Sequence, residues 1–390
     1  MIFHNIPLVS LSTLVVGGGI GGLSLARELA NRGLAVTVLE KAPRIVPVGA
    51  GIIMNSNAMR VLERNGLAAA LRAQAWPYLQ RDTCDRHGNL LARRDYRPLY
   101  DAGKLAAGAL VHRAHLHDVL FGGVPKGAVR FGSSVRDIRI SSTGIEAVTD
   151  RGETYQADVL VGADGIHSTV RRHLFGEVAP VYMGYRSHRM VLDNNAGVDC
   201  FTELQGQGQR IGLVPTSPGR IYVWTTFNSP REPAPALASA DAFRAMFAQF
   251  TDPRVVKLFS QLRSADEIIT TDVEELSLER WGEGRAVLLG DAVHAMTPNI
   301  GQGAGMAMED AAVLAEEIAS GSDIWASLKN YVRRRKPRVE TIVRVSREVG
   351  TEGQLSGIID CWLRERRVRR AGRDRAKMLA ELERLLAFPG

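Results

Sequence analysis

Thr13-Leu-Val-Val-Gly-Gly-Gly-Ile-Gly-Gly22 is the stretch that decides the fold. Its β-branched start suits a strand buried on both faces, and the following glycines match GxGxxG at Gly17, Gly19 and Gly22. Glycines at these positions let a turn close tightly and let the backbone approach a pyrophosphate, whose charge is met by N–H groups at a helix start. The stretch therefore predicts the first turn of a dinucleotide-binding unit.

The residues behind this turn complete the unit. Apolar residues recur at helical spacing until Asn31-Arg-Gly33, where the helix is predicted to end. Val36-Thr-Val-Leu39 then predicts a second strand, which ends in Glu40, a candidate to accept hydrogen bonds from a ribose. The alternative is a Gly-rich turn without nucleotide. The unit alone does not distinguish FAD from NAD, because both carry an adenosine diphosphate.

Two further strand-and-turn motifs lie far along the chain. Asp158-Val-Leu-Val-Gly-Ala-Asp-Gly-Ile-His-Ser-Thr-Val-Arg171 is a predicted buried strand that breaks into a turn. Taken alone, it also fits a strand and helix in which Asp164 is a helix cap and Arg171 a surface charge. The third motif runs from Gly284-Arg-Ala-Val-Leu-Leu-Gly-Asp-Ala-Val-His294 to Gly301-Gln-Gly-Ala-Gly-Met-Ala-Met-Glu-Asp-Ala311.

In their order and separation, the three motifs resemble those of the aromatic-hydroxylase family of FAD monooxygenases. The resemblance covers roughly residues 10 to 345. It implies that the Asp164 turn lies close to flavin and nicotinamide, that Asp291 holds the ribityl chain, and that the turn at 301–305 lies under the isoalloxazine ring. The helix that begins near Gly303 would direct its positive end at the flavin, where negative charge accumulates on reduction. One departure is Gly305, where many relatives have Asn.

Segments between the motifs resemble further parts of the family's cofactor site. Val48-Gly-Ala-Gly-Ile52 resembles the segment beside the flavin, and Val111-His-Arg113 resembles the strand-to-helix entry whose arginine contacts FAD. The alternative for Arg113 is a helix-start arginine in solvent. The predicted cofactor-binding residues are Gly17, Gly19, Gly21, Gly22, Glu40, Lys41, Gly51, Ile53, Arg113, Val135, Asp164, Asp291, Gly301, Gln302, Gly303, Ala304 and Gly305.

Together the motifs predict an α/β fold with a discontinuous, Rossmann-like FAD-binding domain built on a parallel sheet, a mixed-sheet substrate domain and C-terminal helices. The FAD-binding domain is assigned to residues 10–78, 102–180 and 272–345, the substrate domain to 79–101 and 181–271, and the helical segment to 346–390.

The substrate domain is predicted to be a sheet that roofs the flavin. Arg210-Ile-Gly-Leu-Val-Pro215 and Arg220-Ile-Tyr-Val-Trp-Thr-Thr226 predict two of its strands. Residues 241–262 predict a helix with three phenylalanines on one core-facing side, namely Phe243, Phe247 and Phe250.

Arg210 and Tyr222 are the candidate catalytic residues of this sheet. They align by spacing with an arginine and a tyrosine of the FAD-dependent urate hydroxylases, which implies that Arg210 holds an anionic substrate and that Tyr222 orients it. The alternative is that both are ordinary sheet residues. His188 is interpreted as a structural histidine, and His294 as positional rather than catalytic.

The net charge of +7 is concentrated in the tail, where residues 361–390 contain nine Arg or Lys and four Asp or Glu. A nucleic-acid partner is therefore not expected. Met378, Leu382, Leu385 and Leu386 form an i, i+4, i+7, i+8 stripe, which predicts a packed or dimer-forming helix. Transient membrane contact is the rival interpretation, and a monomer and a homodimer both stay open.

The three cysteines Cys84, Cys200 and Cys361 are scattered without metal-ligand spacing or a CxxC pair. Neither a metal site nor a disulfide framework is expected, and a reducing cytoplasm fits this pattern.

The resemblance implies an FAD-dependent monooxygenase that uses NAD(P)H and dioxygen to hydroxylate an aromatic small molecule through a C4a-hydroperoxyflavin. No second GxGxxG follows a strand, so a separate nicotinamide-binding domain is not apparent, and the resemblance implies that NAD(P)H docks transiently. Narrower alternatives are a urate-type purine hydroxylase and a quinone or quinolone oxygenase. An FAD-fold binding or escort protein is the alternative of another class, against which the intact turn at 301–305 argues.

Overall fold

The structure is a computed structural model that describes residues 11–44, 50–232, 237–321 and 323–388. The strands in these ranges are β1 Ser12–Val16, β2 Ala35–Glu40, β3 Gly51–Met54, β4 Trp76–Tyr78, β5 Gln80–Asp85, β6 Leu90–Asp95, β7 Gly108–His112, β8 Val129–Phe131, β9 Val135–Ile140, β10 Ile145–Thr149, β11 Thr154–Ala157, β12 Val159–Gly162, β13 Val181–Asp193, β14 Phe201–Gln205, β15 Gln209–Ser217, β16 Arg220–Asn228, β17 Ile269–Glu275, β18 Gly282–Glu283 and β19 Ala286–Leu288.

The α-helices in the same ranges are α1 Ile20–Ala30, α2 Ser56–Arg64, α3 Ala68–Arg72, α4 Arg97–Asp101, α5 Arg113–Gly122, α6 Thr169–Phe175, α7 Ala240–Met246, α8 Pro253–Phe259, α9 Asp291–His294, α10 Gly303–Ser320, α11 Ile324–Gly353, α12 Ile358–Arg373 and α13 Arg375–Leu386. Short 3₁₀ turns lie at Ala265–Glu267 and Pro298–Ile300.

The first sheet has the strand order β18-β19-β12-β1-β2-β8. Its strands run parallel except β18, which pairs antiparallel with β19 at the edge. The central strands are apolar on both faces, and Leu14, Val15 and Val161 are buried. Their core is shared by residues of α1 and α10 and by Ile138 and Ala147 of strands β9 and β10. This confirms the predicted parallel sheet and the strands predicted at 13–16, 36–39 and before the Asp164 turn.

The second large sheet, here called the roof sheet, has the order β17-β13-β16-β15-β14-β5-β6. It is antiparallel except for the pair β14 and β5. The strands predicted at 210–215 and 220–226 are β15 and β16 of this sheet. Two small sheets, β11-β10-β9 and β3-β7-β4, complete the architecture of the described residues.

The outer face of the roof sheet is covered by α7 and α8. Phe243, Phe247 and Phe250 are buried there, as predicted. The single helix predicted over 241–262 is wrong, because the chain leaves α7 at Phe247 and starts α8 only at Pro253. Proline is favoured in the first turn of a helix and disfavoured in its interior, so Pro253 marks the start of α8.

The inner face of the roof sheet packs against α13. Tyr78, Tyr96, Phe201 and Tyr222 form an aromatic cluster there, and Leu382 and Leu386 of α13 are buried against it. Met378 and Leu385 are partly buried at the same contact. The predicted stripe on this helix is therefore a packed face.

His188 lies on β13 and faces the outer side of the roof sheet. Its ring stacks on Phe227 at a centroid distance of 4.7 Å, and its Nδ1 is 2.8 Å from Thr270 Oγ1. Burial lowers the pKa of His188 to about 4, with the charge of Arg186 as a second cause. The side chain is a neutral core residue on the face opposite to Tyr222.

His188 is expected to make the fold acid-sensitive. Because its folded pKa lies below the unfolded value of about 6.5, its contribution to stability is present above pH 6.5 and is lost as the pH falls toward 4. Between pH 7.5 and pH 5 the unfolding free energy should fall by ~2 kcal/mol more in the wild type than in His188→Phe. Urea unfolding at both pH values measures this, with exposed His173→Phe as control. An equal fall in all three proteins would contradict it.

Candidate functional site

The three Gly-rich turns meet at the carboxyl edge of the parallel sheet. Gly17 has φ +105°, and a Cβ there would overlap the carbonyl of Ala163, immediately before the Asp164 turn. A Cβ on Gly21 would lie 2.5 Å from Leu289 Cδ2 and 3.3 Å from Ala307 Cβ, in the third motif. The glycines of the first turn therefore let the other two turns approach it. Ligands of open α/β sheets bind at this edge.

Glu40 closes the first turn from the end of β2. Its Oε2 accepts a hydrogen bond from Gly18 N at 2.6 Å, and its Oε1 accepts one from Ala42 N at 2.8 Å. His117 of α5 holds the same turn, with Nε2 2.8 Å from Gly18 O. The sequence did not single out His117, because its contact depends on how α5 packs. Gly19 and Lys41 are exposed beside this turn.

A second junction joins the roof sheet to strand β3. A Cβ on Gly51 would lie 2.5 Å from Tyr222 Cδ1, so only glycine lets β3 pass this ring. Two residues on, Ile53 lies against Gly301, where a Cβ would be 3.4 Å from Ile53 Cβ. The structure thus brings Gly51, Ile53, Tyr222 and Gly301 together. Val48 and Gly49 of the same predicted segment lie outside the described residues.

Asp291 and Arg113 line a cleft between these elements. Asp291 is accessible to solvent, yet the protein that surrounds it raises its pKa, against the charges of His294 and Arg113. A carboxylate that is both accessible and surrounded by protein lies in a concave site. Arg113 is exposed at the start of α5, and its charge acts on Asp291 and on Tyr222.

Two asparagines that the sequence did not single out hold the third turn. Asn55 Nδ2 donates to Gly301 O at 3.0 Å, and Asn57 Nδ2 donates to Gln302 Oε1 at 2.8 Å. The side chain of Gln302 is therefore turned into the protein, which leaves its backbone for any ligand contact. A Cβ on Gly305 would lie 2.8 Å from both Asn57 Nδ2 and Gln302 Oε1. The space beside Gly305 is thus filled by the Asn57 amide.

Buried charges fix α10 behind this turn. Asp310 accepts hydrogen bonds from His294 Nε2 at 2.6 Å and from Arg335 Nε at 2.7 Å. Although burial raises the pKa of Asp310, His294 and Arg335 outweigh it and hold the pKa below its ordinary value. Arg335 also lies 2.6 Å from Glu309, whose other oxygen accepts from Asn57 at 2.8 Å. His294 is positional in this arrangement, as the sequence indicated.

Asp164 caps the start of α6. Its carboxylate accepts from Ser168 Oγ at 2.5 Å and from Thr169 N at 2.7 Å. Burial raises the pKa of Asp164, and these hydrogen bonds counteract the shift. Arg171 is buried and donates to the carbonyls of Ile166 and Ala292, so the alternative of a surface charge is wrong for it. Arg171 ties the second turn to α9 of the third motif.

The remaining predicted residues take less central positions. Val135 begins β9 and is buried in the main core. Gly22 is buried in α1, where a Cβ would overlap Gly17 O. Gly303 and Ala304 are half-buried in the first turn of α10.

Arg210 is held inside the roof sheet. Its Nη2 donates to Asn299 Oδ1 at 2.5 Å and its Nε to Gln354 Oε1 at 3.2 Å, while Nη1 lies 3.7 Å from Glu203 Oε1. The Trp224 ring covers the guanidinium at 5.6 Å. Trp224 stands between Arg210 and Tyr222 on the inner face, because β15 and β16 pair Gly212 with Trp224 and Val214 with Tyr222.

This arrangement fits an FAD molecule. Backbone N–H groups at the starts of α1 and α10 and an acidic residue at the end of β2 surround a cleft that contains an accessible Asp291 and an accessible Arg113. In the part of the chain that the structure describes, no helix has the length and apolar character needed to cross a membrane. The same residues contain no cluster of three or more His, Cys, Asp or Glu suited to a metal ion.

The fold and cleft define a flavoprotein of the FAD-dependent monooxygenase class. Residues 10–346 match the family described as FAD binding domain, and the chain belongs to this family. It is 35% identical to aurachin C monooxygenase/isomerase of Stigmatella aurantiaca, across 94% of this chain and 95% of that protein. It is 32% identical to 2-heptyl-3-hydroxy-4(1H)-quinolone synthase of Pseudomonas aeruginosa, across 92% of this chain and 94% of that protein.

A solved structure, Klebsiella pneumoniae HpxO complexed with FAD and uric acid, is similar at a TM-score of 0.86. It is 27% identical, and the match covers 95% of this chain and 96% of that one. The comparisons establish an FAD-dependent enzyme and confirm the predicted family and fold. They do not test the individual site residues, which stay predictions.

Gly17→Ala is expected to weaken FAD binding by at least about tenfold. The added Cβ would overlap Ala163 and push the first two turns apart. Gly33→Ala is the matched control, since Gly33 also has a positive φ of +73° but open space around a Cβ. In both variants an alanine at positive φ costs about 1–2 kcal/mol. The difference in FAD affinity between the two variants therefore reports the contact of the added Cβ with Ala163. Quenching of flavin fluorescence by apoprotein measures the affinity, and equal affinities in the two variants would contradict the assignment.

Proposed function

We propose that the chain is a monooxygenase that uses NAD(P)H and dioxygen to oxygenate a neutral, quinolone-like heteroaromatic compound. The observation that carries this proposal is that the two candidate catalytic side chains differ in whether their polar groups already have partners in the protein. Arg210 has its charge engaged inside the protein, whereas Tyr222 offers a free hydroxyl beside the cofactor cleft.

The engagement of Arg210 argues against a site built for an anionic substrate. Two of its nitrogens donate to amide oxygens, and its charge faces Glu203, which also pairs with Arg81. Aromatic rings cover both arginines, with Phe201 4.8 Å from Arg81 and Trp224 5.6 Å from Arg210. Holding a carboxylate or a urate anion would require Arg210 to leave partners that compensate its burial.

Tyr222 is the residue best placed to orient a substrate. Its neighbours on the inner face use their hydroxyls internally: Tyr78 and Tyr96 bond to each other, and Tyr100 donates to Tyr78 O. Among the residues that the structure describes, the Tyr222 hydroxyl has no hydrogen-bond partner. Burial raises the pKa of Tyr222 to about 12, so the phenol stays protonated. Its O–H can therefore donate a hydrogen bond to a carbonyl oxygen of the substrate.

The chemistry divides between cofactor and protein. Bound FAD supplies hydride acceptance from a nicotinamide and activation of dioxygen. The residues expected to hold it are the glycines of the three turns, Glu40, Arg113 and Asp291. The positive end of α10 offers N–H groups for negative charge on the cofactor, and the aromatic inner face of the roof sheet excludes water. Tyr222 orients the substrate.

The relatives support a quinolone-like substrate. The two curated relatives described above are named for aurachin C and for a 2-heptyl quinolone. A urate-type purine is the second candidate, because Arg210 Nη1 has no partner within hydrogen-bond distance and the similar HpxO structure contains uric acid. The two candidates differ in charge and can be separated directly.

The FAD-loaded protein is expected to oxidise NADH or NADPH faster when a 2-alkyl-4-quinolone is added, and to form a product that contains one more oxygen atom. Absorbance at 340 nm and mass spectrometry with ¹⁸O₂ measure both. Urate, at the same concentration, should stimulate oxidation by less than a tenth as much. A stronger response to urate would favour the purine candidate, and no response to any aromatic compound would overturn the proposal.

Tyr222→Phe is expected to lower kcat/KM for the quinolone by about 10- to 100-fold, the loss of one hydrogen bond to the substrate. FAD affinity should change less than twofold, and Tyr155→Phe, at a half-buried tyrosine of β11, serves as control. Because the pKa of Tyr222 is about 12 and the protonated phenol is the donor, its ionisation should leave wild-type activity unaffected up to about pH 10. An unchanged kcat/KM in Tyr222→Phe would exclude this role.

A further inference from the structure

Helix α12 carries an apolar surface that no other described part of the chain covers. Four large side chains in its first two turns are exposed: Ile358 by 75%, Ile359 by 73%, Trp362 by 53% and Leu363 by 44%. They are defined here as the α12 apolar patch. Single exposed apolar residues are common on proteins, but four adjacent ones on one helix face mark a surface that binds something.

The helix that presents this patch is firmly attached on its other side. Arg364 is buried and donates to Gly206 O at 2.9 Å and to Gly353 O at 3.4 Å. Cys361 is buried beside it, and Gly372 packs so closely on Ala92 that a Cβ would lie 2.8 Å away. The α12 apolar patch is therefore part of the folded surface and not of a frayed end.

The same exposed face continues into arginines. Arg366, Arg369, Arg370 and Arg373 follow the patch at helical spacing, and all four are exposed. Within the described residues none of the four forms an ion pair, whereas their neighbour Arg367 pairs with Glu352 at 3.0 Å. Arg366 lies over the Trp362 ring at 4.6 Å, where the apolar and basic halves meet. One helix face thus carries an apolar half and a half with four uncompensated positive charges.

We propose that this face docks the protein on the surface of an anionic phospholipid membrane. Large apolar side chains with tryptophan enter the boundary between headgroups and acyl chains, and arginines bind the anionic headgroups. The helix lies in the plane of the surface and does not cross the bilayer. The sequence offered membrane contact as an alternative for the apolar stripe of α13. Because that stripe is packed, the proposed contact lies on α12 instead.

Charge favours a membrane over a second copy of the chain. A symmetric dimer through this face would place the same residues of both copies together, so arginines would meet arginines or the partner's apolar patch. Both arrangements leave positive charges without partners in the contact, which is costly when they lose water. An anionic lipid surface offers one negative group for each arginine.

The test uses the FAD-loaded full-length protein and large vesicles. Cosedimentation should show binding to vesicles that contain 30 mol% phosphatidylglycerol in phosphatidylcholine, and at least about tenfold weaker binding to phosphatidylcholine alone. Binding to the anionic vesicles should weaken as salt is raised. Equal binding to both vesicle types, or none to either, would overturn the proposal.

Two variants and one matched control locate the contact. Trp362→Ser with Leu363→Ser should weaken vesicle binding by at least about tenfold. Arg369→Gln with Arg370→Gln should weaken it by about fivefold for each arginine. Trp325→Ser is the control, because Trp325 is 51% exposed on α11 and has Lys329 over its ring at 4.6 Å, in a different place. Loss of binding in Trp325→Ser alone would overturn the assignment to α12.

Self-association is measured in parallel by sedimentation velocity without lipid. The wild type and the Trp362→Ser, Leu363→Ser variant should have the same oligomeric state. If the wild type is a dimer that this double substitution separates, the face is an interface between copies and the membrane proposal is wrong. NAD(P)H oxidation in lipid-free buffer should be unchanged in all variants, which shows that they remain folded.

Discussion

The close approach of three turns at one edge of the parallel sheet is the constraint on which the rest of the structure depends. Gly17 lies against Ala163, and Gly21 lies against Leu289. A side chain at Gly17 would push apart the ends of β1 and β12, and one at Gly21 would push α1 away from the segment that follows β19. Because the turns meet, the starts of α1 and α10 and the accessible Asp291 lie close together at one edge of the sheet. Backbone contact, more than any particular side chain, shapes the candidate cofactor site.

The three turns stay together only if α10 is held in place. Ion pairs between buried side chains hold it. Glu309 and Asp310 are adjacent carboxylates without solvent exposure. Their negative charges would repel each other if no cation lay beside them. Arg335 of α11 contacts both, and breaking such a buried pair costs about 3–5 kcal/mol. The same carboxylates reach Asn57 and His294, so one network connects the Gln302 turn with the Asp291 turn. Its residues lie about 280 positions apart in sequence, from 57 to 335.

This separation explains what the sequence predicted and what it did not. The turns, the parallel strands and the start of α10 were predicted because glycine spacing and apolar runs are local patterns. The roles of Asn57, His117 and Arg335 were not, since each depends on packing between distant segments. Pro253 was a local signal that should have divided the helix predicted over 241–262. The apolar stripe of α13 was visible, but a periodicity alone does not tell a packed helix from an exposed one, so the exposed surface of α12 was missed.

The tail helices belong to the cofactor architecture as well as to the surface. Arg338 of α11 donates to the carbonyls of Leu385 at 2.8 Å and Ala387 at 3.1 Å, and so binds the end of α13. The same guanidinium lies 3.3 Å from Glu309, which joins α13 to the network behind the Gln302 turn. Since α13 also packs on the aromatic inner face of the roof sheet, it connects the roof to the cofactor turns. The basic tail is therefore anchored next to the site, and its excess charge is left on the outer face of α12.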